Sequence, residues 1–112
     1  MAIPSGSGTE VLKRATADGV ANSYNKILDG EANHIYTILS FVIFAHTAAS
    51  VEITMLPSAG TRIWLFSAIS IPANETFILN DKIVLTGTDE IEFKTSSGSV
   101  DAVLSYIEQD WT

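Results

Sequence analysis

Residues 70–93 read Ser-Ile-Pro-Ala-Asn-Glu-Thr-Phe-Ile-Leu-Asn-Asp-Lys-Ile-Val-Leu-Thr-Gly-Thr-Asp-Glu-Ile-Glu-Phe. Three short β-favouring runs, Thr76 to Leu79, Ile83 to Leu85 and Ile91 to Phe93, are separated by the turn pair Asn80-Asp81 and by Thr86-Gly87-Thr88-Asp89. Apolar runs of strand length punctuated by turn residues are the mark of antiparallel strands. The polar residues here sit where turns need them, so the stretch carries an architecture and no reaction.

The same cadence extends in both directions. Upstream, Arg62 to Ser70 sets Ile63, Leu65 and Ser67 on one side and Trp64, Phe66 and Ala68 on the other. Val51 to Leu56 alternates before the turn Pro57-Ser58-Ala59-Gly60. Asn33 to Thr47 is the hydrophobic axis, with Ile35, Leu39, Phe41, Ile43 and Ala45 at odd positions and Tyr36, Ile38, Val42 and Phe44 at even ones. Both faces are apolar, which fits a central strand whose second face is covered by an arm, a loop or another subunit. Downstream, Ser96 to Ser99 is a loop, Val100 to Glu108 the last strand, and Gln109 to Thr112 an acidic tail carrying Trp111.

The first thirty residues are weaker. Ala2 to Thr9 holds Pro4 and Ser5-Gly6-Ser7-Gly8, which cannot bury enough to order itself. Glu10 to Thr16 fits a strand or a single helical turn, and Val20 to Leu28 reads as extended between the turn dipeptides Asp18-Gly19 and Asp29-Gly30. The expected organisation is an N-terminal arm and lead-in over residues 1–30, then a domain over 31–112. The expected fold is all-β, an antiparallel β-sandwich of jelly-roll-like type with seven to eight strands.

At 112 residues the chain has room for one core. It has no cysteine, so neither disulfides nor thiolate metal sites are available. The net charge of −7 lies beyond Gly30, where Arg62, Lys82 and Lys94 face ten carboxylates; before it, Lys13, Arg14 and Lys26 balance Glu10, Asp18 and Asp29. An acidic body repels phosphate, which argues against nucleic acid as a partner. Ile35 to Ala45, the longest apolar run, is too short for a helical membrane span of roughly 20 residues. The opening Met1-Ala2-Ile3-Pro4 shows neither the basic start nor the apolar stretch of a secretory leader. With 46% hydrophobic and 17% charged residues, the chain has more apolar surface than a core this small consumes, which points to a protein partner.

Candidate chemistry is thin. His34 and His46 flank the axis strand at a spacing that puts them on one face, roughly 40 Å apart at ~3.3 Å per residue, too far to share a metal. Asp81, Asp89, Glu90, Glu92 and Asp101 lie near turns without the spacing of an oxygen-ligand Ca²⁺ loop, and solvated turn acids are the simpler reading. No serine sits in a nucleophile elbow, and no pair of acids lies in an apolar motif, so neither an enzyme nor a cofactor is expected. Tyr24, Tyr36, Trp64 and Trp111 are available to stack on a carbohydrate, although core and interface duty explains them as well.

The segments Ser5-Gly6-Ser7-Gly8-Thr9-Glu10-Val11-Leu12-Lys13-Arg14, Ala32-Asn33-His34-Ile35-Tyr36-Thr37-Ile38-Leu39-Ser40, Pro72-Ala73-Asn74-Glu75-Thr76-Phe77, Asn80-Asp81-Lys82-Ile83-Val84-Leu85 and Ser105-Tyr106-Ile107-Glu108 together give a likeness over nearly the whole chain. It resembles the small accessory virion proteins of tailed bacteriophages, β-sandwich proteins of the capsid or tail. The resemblance implies a capsid decoration, or cement, protein made in the host bacterial cytoplasm and carried on the virion. It further implies self-association, most simply as a homotrimer, and docking on the major capsid protein or other virion proteins. The contact residues expected on that basis are Ser5, Gly6, Ser7, Gly8, Val11, Leu12, Lys13 and Arg14 in the arm. Those expected for self-association are Tyr36, Ile38, Val42, Phe44, Trp64, Phe66 and Trp111. A tail, head-to-tail or fibre component and a carbohydrate-binding sandwich stand as the alternatives.

Overall fold

The computed structural model describes residues 9–96 and 99–111. Their strands are β1 (Thr9–Asp18), β2 (Tyr24–Asp29), β3 (His34–Ala45), β4 (Ala49–Leu56), β5 (Ile63–Ile71), β6 (Glu75–Leu79), β7 (Ile83–Thr86), β8 (Glu90–Thr95) and β9 (Val100–Asp110). One sheet runs β1-β9-β3-β6 with β7 also on β3, and the other runs β2-β8-β4-β5. Every strand pairing is antiparallel. The chain changes sheet at each connection except β4 to β5 and β6 to β7, the winding of a jelly roll. The expected all-β sandwich is what the chain forms.

Nine strands fill eight positions. β6 lies opposite Phe41 to Ala45 and β7 opposite Ile35 to Ile38, so the two share one edge of β3 in succession. The turn pair Asn80-Asp81 falls in the break between them.

Residues 9–29, expected as arm and lead-in, are built into the sheets. β1 pairs with β9 over an unbroken register from Thr9 opposite Asp110 to Asp18 opposite Asp101, and β2 pairs with β8. Each is an edge strand, one per sheet. An edge strand needs few apolar residues: on β1 only Ala15 and Ala17 pack against the core, which is why its signal is faint. Ser5, Gly6, Ser7 and Gly8 lie outside the described residues.

The axis strand changes phase partway along. A bulge between Ile38 and Ser40 inserts a residue against β9, and one inserted residue moves every later side chain to the opposite face. Tyr36 and Ile38 therefore point inward before it, and Phe41, Ile43 and Ala45 after it; all five are buried. The two apolar faces in the sequence are resolved into one core face that switches parity. The same switch corrects the expectation for the histidines: His34 is buried and His46 exposed, on opposite faces.

The core between the sheets is centred on Phe41 and Phe93, whose rings meet edge-to-face at 6.0 Å, with Ile38, Ile43, Ile53, Leu85, Ile91 and Leu104 around them. Gly30, closing β2, is required by a close approach. A Cβ there would lie 2.2 Å from the Gly87 carbonyl oxygen and 2.6 Å from that of Asp89, whose oxygen accepts from the Gly30 amide at 3.0 Å. Among the described residues no helix is long and apolar enough to cross a membrane.

Candidate assembly surfaces

The outer face of the five-stranded sheet follows from its register. Leu12, Ile107, Thr37 and Val84 form one row across β1, β9, β3 and β7, and Thr16, Val103, Val42 and Ile78 form another. Leu12, Ile78 and Val84 are 72%, 55% and 58% exposed. Phe44 continues the apolar area toward the end where Asp18 and Asp101 stand side by side. A sheet face normally carries polar side chains where it meets water; this one carries aliphatics on five strands.

Of the residues expected at self-association contacts, Val42 and Phe44 belong to this face. Tyr36 and Ile38, 2% and 1% exposed, are spent within the subunit. Phe66 is half-buried and meets Phe77 edge-to-face at 5.5 Å, closing the sandwich between β5 and β6. Trp64 lies on the outer side of the other sheet, half exposed. Trp111 is partly buried beyond β9, its amide donating to the Asn33 carbonyl at 3.0 Å. Its indole Nε1 is buried with no hydrogen-bond partner among the described residues. Along the expected arm, Val11, Leu12, Lys13 and Arg14 are exposed positions of β1.

The four-stranded sheet presents a different surface. The Arg62 guanidinium lies 3.7 Å above the Tyr24 ring and donates to Glu92 Oε1 at 2.8 Å. That bond raises the Arg62 pKa above its already high ordinary value. Lys94 approaches the same ring at 5.2 Å, and Trp64 stands 6.4 Å from it. Of the four aromatics available for stacking on a sugar, the structure brings together Tyr24 and Trp64, with Arg62 on the tyrosine; Tyr36 is in the core.

At one open end of the sandwich, His34 Nδ1–H donates to the Ala32 carbonyl at 2.9 Å. Its Nε2 looks toward Glu108, Asp110 and Glu31 at 3.4, 3.5 and 3.8 Å. Lys13 reaches Glu108 from β1 at 2.9 Å, and this hydrogen bond raises the lysine pKa. Burial raises the phenols of Tyr36 and Tyr106 beside it. At the far end His46 Nε2 meets Asp101 Oδ2 at 2.7 Å, which lowers the Asp101 pKa.

The turn carboxylates serve local structure. Asp89 accepts from the amides of Ser58 and Thr86, each at 3.0 Å, Glu90 pairs with Lys26 at 3.2 Å, and Glu92 is taken by Arg62. Asp81 is exposed between β6 and β7. Among the described residues, no group of three or more His, Asp or Glu is placed to hold a metal ion. Two shallow hollows of about 150 and 190 Å³ are lined by Asn22, Ser50, Glu52, Lys94, Thr95 and Ser96, and by residues 70–72 and 75–77.

Sequence reasoning missed Ile78, Val84, Val103 and Ile107 as surface residues. The signal was there: Phe77-Ile78-Leu79 and Ile83-Val84-Leu85 are apolar at consecutive positions, and in a two-layer sandwich the middle residue must face outward.

No protein-family model and no curated protein matches the chain. Solved structures do. A chain of the T13 viral particle of IBDV is similar over 90% of this chain, with a TM-score of 0.57 and 9% identity; this chain spans 31% of that one. A subunit of the Bacillus endospore appendages, described as disulfide-linked pili, is similar over 100% of this chain and 97% of its own length, with a TM-score of 0.62 and 12% identity. The fold is thus one found in components of a viral particle and of a polymeric appendage.

Proposed function

We propose that this protein is a non-enzymatic structural subunit of a virion, and specifically a capsid decoration protein that self-associates and staples capsid subunits. The observation that carries this reading is the aliphatic outer face of the five-stranded sheet, spread over β1, β9, β3, β6 and β7. Contiguous apolar area of this kind on a small domain marks a protein contact. The fold's use in a viral particle and in a pilus supports the same reading, as does the phage-protein resemblance. The chain has no cysteine, so any assembly it forms is held without the disulfides of the spore appendage.

In this reading the subunits form a trimer at local threefold positions, with Val42 and Phe44 in subunit contacts. Residues Ser5 to Arg14 lie along the major capsid protein or a neighbouring subunit. The acidic body keeps the protein off nucleic acid. Antibody–gold labelling of intact virions tests the assignment. Dense label over the head is the expected result; label confined to the neck or tail would make the protein a tail or head-to-tail component, and no label on any particle would overturn the virion reading.

A further inference from the structure

Four strand edges are open in the sandwich, and three are blunted. β5 pairs irregularly with β4, with register shifts on both sides of Ile53, and Ala68 there takes φ 57°. β2 has six residues and a shift between Lys26 and Leu28. The β6/β7 edge is cut in two by the turn that carries Lys82. Short strands, bulges and lysines are the usual devices that keep a sheet edge from pairing with another chain. β1 is neither short nor bulged, and its one lysine, Lys13, is drawn back onto Glu108 of β9 at 2.9 Å instead of standing free along the edge. The strand is ten residues long, runs without a register shift against β9, and contains neither proline nor glycine.

Its sequence is also complementary to itself. Glu10, Leu12 and Arg14 alternate along the outer face, with the apolar residue between opposite charges. When two copies of β1 pair antiparallel about a two-fold axis through Leu12, Glu10 of each faces Arg14 of the other, and Leu12 faces Leu12. Thr9 then stands opposite Ala15. Sliding the axis to Lys13 sets lysine against lysine; sliding it to Arg14 sets arginine against arginine and Glu10 against Asp18. Residues directly opposite across an antiparallel pair interact, favourably for opposite charges and unfavourably for like ones. Arg14 has no ion-pair partner within the subunit among the described residues, and Glu10 is held only by the Gln109 amide at 2.9 Å. Leu12, the most exposed large apolar residue among those described, sits at the centre of the match.

We infer that β1 is a homotypic docking edge: a second copy of this chain adds antiparallel along it, joining two five-stranded sheets through a two-fold axis at Leu12. A two-fold contact uses one patch on both partners, and strand addition satisfies the free backbone groups of both edges. The aliphatic row of Leu12, Ile107, Thr37 and Val84 becomes continuous across the pair. The inference takes the neighbouring-subunit alternative proposed above for Val11 to Arg14 and gives that contact a two-fold axis; it is read on the chain in solution, so its failure is distinguishable from a failure of gold label to mark the virion.

The test is a charge swap followed by analytical ultracentrifugation. The parent is expected to dimerise with rising concentration. E10R sets arginine against arginine and R14E sets glutamate against glutamate, so each alone is expected to stay monomeric where the parent is dimeric. Mixed in equal amounts, the E10R and R14E chains face each other with both pairs complementary, and dimer returns. Recovery in the mixture also establishes that both variants fold. A parent that stays monomeric up to its solubility limit, single variants that dimerise like the parent, or a mixture that stays monomeric would each overturn the inference.

Discussion

The Lys13 ammonium on β1 lies 2.9 Å from the Glu108 carboxylate on β9, and the other Glu108 oxygen lies 3.4 Å from His34 Nε2 on β3. The Glu108 carboxylate thereby pairs β9 with the edge strand through Lys13 and lies beside the His34 ring of the central strand. Lys13 is half exposed, so solvent screens the pair, and K13M is expected to destabilise the fold by only about 0.5 kcal/mol near neutral pH. The lysine pKa is raised in the folded chain, so the contribution is fully present below the ordinary value of 10.5 and is lost as pH rises above it. Urea denaturation of parent and variant at neutral pH and at strongly alkaline pH checks this. An equal gap at both pH values would contradict it.

A stronger electrostatic contact lies on the opposite sheet. Glu92 is buried, and Arg62 both satisfies it and covers the Tyr24 ring. A charged hydrogen bond to a buried group contributes about 1.5–3 kcal/mol, and the stacked guanidinium adds roughly 0.5–1 kcal/mol. R62A is therefore expected to lose on the order of 2–3 kcal/mol. R62K, which keeps the charge but not the planar fork, should lose about half of that. Thermal melts give the stability order parent, R62K, R62A; an R62K melt equal to the parent's would show that charge alone matters.

Much of this architecture was legible in the residues. Turn chemistry at Asn80-Asp81 and Thr86-Gly87 located β6, β7 and β8 because those turns are local. The axis strand was legible as a strand but not in its facing: Tyr36 and Val42 share a parity, and the bulge between Ile38 and Ser40, which sends one inward and the other outward, has no glycine or proline to announce it. β1 was the least legible element. Its pairing partner lies about ninety positions away in β9, and an edge strand owes its place to backbone hydrogen bonds that any sequence can make. The candidate surface was visible as an excess of apolar residues; which of them stay outside depends on the register of five strands.

Asp101, on the outer face of β9, is held by His46 at 2.7 Å, with Asp18 of β1 as its cross-strand neighbour. The hydrogen bond from His46 is the main cause of its lowered pKa, and one involving Asp18 adds to it. A carboxylate whose folded pKa lies below its unfolded value contributes stability above the ordinary aspartate value of 3.8, and that stability is lost as pH falls through the folded value. D101N should therefore melt below the parent at neutral pH, with the gap closing as the solution is acidified past the aspartate range. H46A removes the donor, and Asp101 is expected to titrate nearer 3.8 in that variant. Carboxyl-carbon NMR titration of Asp101 in parent and H46A reads the shift directly. An unchanged titration in H46A would assign the shift to Asp18 and the strand pairing instead of the histidine.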